Sequence, residues 1–252
     1  MEPAKKLPSK PDLGERHDPP MPLLGHLKAL RASLSIGLFS WLACAIVALV
    51  FSPAILAWLK SPAAENEKLL EGLDLTSGFS AMIDICVWGG TVFAFPFLAY
   101  ALLRFIFPAL AQKEKRVLIT TLCAGTALFL GGVALSYQNT LPLVVKAFQS
   151  INAWVGLKVE TIRIEGYIAI VLKTLVAFGL VFQMPLVLVA LGWLGLVSSD
   201  ALRAKRRIAI VTVFFVAMFL TPPDPMSQLL MAVPLCVLYE VSIWAVWLKE
   251  RM

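Results

Sequence analysis

The chain has 252 residues, of which 59% are hydrophobic and only 15% are charged. Soluble domains are about 45–50% apolar and about 25% charged, so this composition excludes an ordinary soluble enzyme and indicates a protein that crosses a membrane several times. The formal net charge of +6 does not indicate nucleic-acid binding, because the basic residues lie between apolar segments rather than in a patch with exposed aromatic residues.

The N-terminal part divides into two segments. Residues 1–20 are polar and include five prolines, which predicts a disordered cytoplasmic tail. Residues 21–31 carry leucines at helical spacing on one face, which predicts a short amphipathic helix at the membrane interface. Residues 21–252 are therefore expected to form one membrane domain.

Six apolar runs follow, and they predict an all-α, polytopic membrane protein, because backbone polar groups in lipid must be satisfied within the segment. Several runs contain a proline, which is expected to kink its helix. The predicted spans are residues 34–58, 79–103, 117–137, 167–193, 208–220 and 226–247.

The distribution of Lys and Arg predicts the orientation of the chain. Sixteen of the 22 basic residues lie in the N-terminal segment and in residues 104–116, 198–207 and 248–252. Five lie in the alternate loops. Because basic loops stay in the cytoplasm, both termini are predicted to be cytoplasmic.

The fifth and sixth runs are separated by a break, TPPDP at residues 221–225. Proline lacks an N–H and clashes with the preceding turn, so three prolines there predict a turn between two antiparallel helices. The fifth run, residues 208–220, would be only about 20 Å long, against a hydrocarbon core of about 30 Å.

Four ionisable or strongly polar residues lie within the spans: Asp84, Lys173, Gln183 and Glu240. Such groups are costly in a membrane and are functional candidates. Asp84 and Lys173 have opposite charge and similar predicted depth, which suggests an ion pair. The alternative is that each extends separately to the outer interface.

No pattern of residues indicates catalysis or a bound cofactor. The sequence has no nucleotide-binding, zinc-protease or serine-hydrolase motif, and its four cysteines lie in apolar runs without metal-ligand spacing. We therefore expect neither an enzyme, nor a metal site, nor a cofactor.

Three stretches of the chain resemble the TatC family, the multispanning subunit of the twin-arginine protein translocase. The most specific is LTPPDPMSQLLMAVPLCVLYE at residues 220–240. The others are FIFPAL at residues 105–110, followed by Glu114, and FGLVFQMP at residues 178–185. The resemblance covers residues 22–247. It implies six spans in a kinked, concave bundle.

The resemblance also implies the function. TatC-like proteins bind the twin-arginine signal peptides of folded precursors, assemble with single-span TatA- and TatB-type proteins, and use the proton gradient for transport. It implies a multi-pass protein of the cell inner membrane, within a complex that holds several copies. No nucleic acid is expected as a partner.

Residue by residue, the resemblance makes Glu114 the loop glutamate that recognises the arginine pair, by bidentate bonds to a guanidinium. The residues alone do not distinguish this role from that of a solvated charge beside Lys113, Lys115 and Arg116. The other residues implied in signal-peptide binding are Phe105, Pro108, His26, Leu30 and Arg31. The resemblance also implies intramembrane polar positions that contact partner helices at Gln183, Glu240 and Asp224.

The chain departs from the family pattern at several positions. The family's N-terminal HLxELR motif has glutamate where this chain has Ala29. Asp84 lies where a basic residue is expected, and Lys173 where an apolar one is expected. These departures keep two alternatives open: a divergent TatC-like paralogue or assembly scaffold, and an ion-coupled small-molecule transporter that uses Asp84, Lys173 and Glu240.

Overall fold

The structure is a computed structural model, and it describes residues 23–61, 70–106, 115–157, 161–193, 195–220 and 225–251. The predicted tail, residues 1–20, lies outside the described residues. So do three of the predicted site residues: Pro108, Glu114 and Asp224.

The described residues are almost entirely helical, which confirms the predicted all-α class. Two π-helical segments, Ile85–Gly89 and Ser136–Thr140, each continue a preceding α-helix. The α-helices are α1 (Leu23–Val50), α2 (Ser52–Lys60), α3 (Ser77–Asp84), α4 (Gly90–Ile106), α5 (Lys115–Leu135), α6 (Leu141–Val155), α7 (Ile164–Val181), α8 (Met184–Trp193), α9 (Ser199–Ala204), α10 (Arg206–Leu220) and α11 (Pro225–Glu250).

Five helical segments in the described part of the chain are long and apolar enough to cross a membrane. They are Leu30–Val50, Ser77–Phe105, Ile119–Val155, Ile164–Trp193 and Met231–Glu250. The remaining predicted span corresponds to α10, whose 15 residues are only about 22 Å long. The chain is therefore a multi-pass membrane protein, and the count of six spans depends on this short helix.

The packing of α1 against α4 is the most extensive contact between two helices in the structure. It depends on Gly90, because a Cβ there would lie 2.7 Å from the Cα of Ala45. Only glycine allows the two backbones to come so close. Gly90 thus fixes where the two helices cross.

Helix α5 packs against α7 through an equally close contact. A Cβ on Gly179 would lie 2.5 Å from the ring of Phe129, which is itself buried and stacked on Phe95 with ring centroids 3.8 Å apart. The aromatic ring of α5 therefore occupies the space that a side chain on α7 would need.

The predicted outer end of the bundle is closed by the segments that follow α2 and α6. Strands β1 (Leu70–Glu71) and β2 (Ile162–Arg163) pair in parallel, with Leu70 opposite Ile162. The hydroxyl of Tyr167 donates to the carbonyl of Leu59 at 3.0 Å. These contacts hold the α2 end against the start of α7.

At the opposite end, α11 binds α9 through its last residue and through Tyr239. The backbone N–H of Ser199 donates to the carboxylate of Glu250 at 2.9 Å, and the Ser199 hydroxyl binds its other oxygen. The hydroxyl of Tyr239 donates to the carbonyl of Leu202 at 2.9 Å. The C-terminal helix thereby fixes the predicted cytoplasmic end.

Candidate functional site

An apolar groove lies between the first half of α1 and the second half of α4. Its volume is about 360 Å³. It contains two of the residues predicted to bind signal peptides, Leu30 from α1 and Phe105 from α4. The remaining lining residues are Ser33, Leu34, Gly37, Leu38, Trp41, Leu98, Ala101 and Leu102.

The groove forms because small residues lie where the two helices face each other. A Cβ on Gly37 would already touch the side chain of Leu98 at 3.4 Å. At the inner end, the indole N–H of Trp41 donates to the hydroxyl of Thr91 at 3.0 Å. This bond anchors the polar atom of Trp41 and leaves its ring as an apolar wall.

The charges near the mouth of the groove are all positive on the two helices. Lys28, Arg31 and Arg104 are exposed there. Neither α1 nor α4 contains an Asp or Glu. The two helices therefore offer apolar contacts but no carboxylate for a cationic ligand. His26 lies in the first turn of α1.

Gln183 lies at a break in the fourth predicted span. Helix α7 ends at Val181 and α8 begins at Met184. The side-chain amide of Gln183 donates to the carbonyl of Gly125 on α5 at 3.0 Å. The predicted polar position is therefore part of the α5–α7 contact, half-buried rather than directed wholly outward.

A second groove, of about 580 Å³, adjoins this break between α5 and α11. Its lining is apolar and includes Phe182, the neighbour of Gln183, and Pro234 inside α11. The other lining residues are Ala127, Leu128, Gly131, Val233, Val237 and Leu238.

Glu240 forms an ion pair that the sequence did not predict. The Arg206 guanidinium donates to the Glu240 carboxylate at 2.7 Å, and the two side chains are 46% and 44% exposed. Arg206 is the first residue of α10 and Glu240 lies midway along α11. The pair neutralises Glu240 and joins the two antiparallel helices near one end.

Gln228 makes a second polar contact between these helices, and the sequence analysis did not single it out. Its side-chain amide donates to the carbonyl of Phe214 at 3.0 Å. The bond joins the start of α11 to the later half of α10. With the Arg206–Glu240 pair, it fixes the hairpin at two levels. The signal in the sequence was the polar residue itself, within an apolar run.

The predicted ion pair between Asp84 and Lys173 is not formed. The ion pairs among the described residues are Arg163–Asp74, Arg203–Asp200 and Arg206–Glu240. Asp84 is half-buried at the end of α3, and Lys173 is exposed on α7. The two helices are in contact, but Lys173 projects from the face of α7 opposite its buried face.

Within the described residues, no group of three or more His, Cys, Asp or Glu side chains could hold a metal ion.

Comparison with known proteins gives a consistent result. The family model for the Sec-independent protein translocase protein (TatC) matches residues 25–234. The chain is 34% identical to the TatC protein of Aquifex aeolicus over 233 residues, 92% of this chain and 97% of that protein. It is 32% identical to the TatC protein of Listeria innocua over 88% of this chain and 90% of that protein.

The solved structures give the same match. A crystal structure described as the twin-arginine translocase receptor TatC superposes with a TM-score of 0.75 at 33% identity, covering 90% of this chain and all of that one.

Proposed function

Because this chain belongs to the TatC family, we propose that it is the core subunit and signal-peptide receptor of a twin-arginine translocase. It moves folded proteins across the cell inner membrane and uses the proton gradient. Both of its termini lie in the cytoplasm, as the excess of Lys and Arg in alternate segments predicts. Its partners are TatA- and TatB-type single-span proteins and further copies of the chain.

The observation that carries the proposal is the apolar groove between α1 and α4. It lies at the end of the bundle that the Lys and Arg distribution places in the cytoplasm. Its lining contains both Leu30 and Phe105, and α4 ends at Ile106, eight residues before Glu114. A signal peptide has an arginine pair followed by an apolar segment, so one surface offers a contact to each part.

We assign the two steps of recognition to different residues. Glu114 pairs with one guanidinium, and the apolar segment of the peptide lies in the groove. An exposed ion pair contributes about 0–1 kcal/mol, whereas burying apolar surface contributes about 25 cal/mol per Å². We therefore expect the groove to contribute affinity without selecting for arginine, and Glu114 to supply the preference for arginine over a neutral residue.

The divergent-paralogue alternative keeps one specific observation in its favour. Ala29 replaces the second motif glutamate, so half of the expected acidic pair for two guanidinium groups is absent. The ion-coupled transporter has less support. It needs Asp84, Lys173 and Glu240 together, whereas Glu240 pairs with Arg206 and the other two are in no ion pair among the described residues.

Binding of a fluorescent twin-arginine signal peptide to the purified chain in lipid nanodiscs tests the proposal. Leu34→Gln is expected to weaken binding about fivefold to tenfold, because it places an amide in the groove at a cost of about 1–1.4 kcal/mol. Phe39→Gln is the matched control: both side chains are 70% exposed on α1, and only Leu34 lines the groove.

The charged arm of the experiment separates receptor from scaffold. Glu114→Gln should abolish the preference for a twin-arginine over a twin-glutamine peptide, and Ala29→Glu should increase it about tenfold. A parent chain that binds both peptides equally, with neither variant changing this, would favour the scaffold. Equal effects of Leu34→Gln and Phe39→Gln would remove the groove from the mechanism.

A further inference from the structure

Lys173 projects from the outward face of α7. The buried side chains of this helix, among them Val171, Thr174 and Phe178, occupy one side. Lys173 lies on the opposite side, between Ile170 (44% exposed) and Leu180 (53% exposed). A cation on such a lipid-facing stripe is costly unless it has a partner of opposite charge.

Asp84 lies at a similar depth on the neighbouring helix. It is seven residues after Ser77, where α3 begins, and Lys173 is nine residues after Ile164, where α7 begins. At 1.5 Å per residue these positions are about 10 Å and 13 Å along their helices from the same end. Both residues therefore lie about two turns or more inside their helices rather than in the first turn.

Neither group has a hydrogen bond or ion-pair partner among the described residues. The chain thus presents two unpaired, opposite charges on adjacent helices at nearly one depth. A second copy inserted in the same orientation is related to the first by a rotation about an axis along the membrane normal. Equivalent residues of the two copies therefore lie at the same depth in the membrane. A two-fold contact of this kind is self-complementary, so a contact from residue i to j is repeated from j to i.

We propose that α3 and α7 form a contact between two copies of this chain, in which Asp84 of each copy pairs with Lys173 of the other. The inference rests on the part of the proposed function that places several copies in one complex, and it identifies the surface that they share. It is independent of signal-peptide recognition.

The residues around Lys173 permit a close approach. Gly166, Ala169 and Ala177 lie on the same outward side of α7, and a Cβ at Gly166 would have nothing within 4 Å. Small residues at such positions let membrane helices pack at short distance. Two helix axes about 8–10 Å apart would bring an aspartate and a lysine within contact.

Two complementary variants distinguish a contact between copies from one within a copy. One chain carries Asp84→Leu and the other Lys173→Leu, each with its own affinity tag, and both are expressed in one cell. Each dimer of like chains lacks every Asp84–Lys173 pair, whereas the mixed dimer keeps one. The ratio of mixed to like dimers should be about threefold to tenfold higher than the ratio expected for random pairing. This corresponds to the strength of polar contacts between membrane helices.

Disulfide crosslinking of Ala177→Cys, with the native cysteines replaced, measures the dimers in membranes. Phe39→Cys on the exposed side of α1, outside the groove lining, is the control and should not crosslink. Random pairing of the two variants, with about half of the dimers mixed, would overturn the proposal. The proposal would also be overturned if a chain with both Asp84→Leu and Lys173→Leu crosslinked through Ala177→Cys as efficiently as the parent, because the charges would then play no part in the contact.

Failure here leaves the proposed function intact, since signal-peptide binding is measured on the same variants separately.

Discussion

The contact between Gly179 and Phe129 determines how α5 and α7 pack, and its strength can be tested with a single methyl group. In Gly179→Ala, the added Cβ would lie 2.5, 2.7 and 2.8 Å from three ring atoms of Phe129. The ring cannot move away freely, because it is buried and stacked on Phe95 at 3.8 Å. The helices must therefore separate, or the stack must break.

The matched control is Gly131→Ala on α5, where an added Cβ has nothing within 4 Å. Both substitutions gain about 0.8–1 kcal/mol of helix propensity. Only Gly179→Ala also carries an overpacking cost, about 1–3 kcal/mol. The difference between the two variants isolates this cost, so Gly179→Ala should be less stable than Gly131→Ala by about 1–3 kcal/mol.

Denaturant unfolding in detergent, followed by tryptophan fluorescence, measures the free energy of unfolding of both variants. In a Phe129→Leu background, Gly179→Ala should cost less, because neighbouring substitutions are not additive. Equal stabilities for Gly179→Ala and Gly131→Ala would refute the packing argument. Helices α5 and α7 lead into the hydrogen bond between Gln183 and Gly125, so transport of folded precursors should fall together with stability in Gly179→Ala.

Two further predictions concern charge and orientation. The Arg206–Glu240 pair is about half exposed, so Glu240→Gln should lower the free energy of unfolding by about 1 kcal/mol. A double-mutant cycle with Arg206→Gln should show that the two substitutions are coupled. Strictly additive effects would mean that the pair contributes nothing to stability. Cysteines introduced at Leu75 and Ser150, both exposed, should react with an impermeant maleimide added outside intact cells. A cysteine introduced at Arg207 should react only after the cells are permeabilised. The reverse labelling pattern would contradict the proposed topology.

The sequence alone predicted the class of the protein and most of its helices. Apolar runs of about 20 residues require helices in lipid, whatever packs around them. The prolines at residues 221–225 likewise predict a break in the helix, because proline cannot continue one, and α10 ends at Leu220 while α11 begins at Pro225. The family motifs added Leu30 and Phe105 to one site, and the structure brings both into the same groove.

Which polar groups meet was decided by tertiary structure. Depth along a helix follows from counting residues, and it made Asp84 and Lys173 equal candidates for a pair. Rotation about the helix axis and the identity of the neighbour do not follow from counting, since they depend on where small residues such as Gly90 and Gly179 let helices approach. That packing turns Lys173 outward and leaves the intramembrane carboxylate of Glu240 beside Arg206.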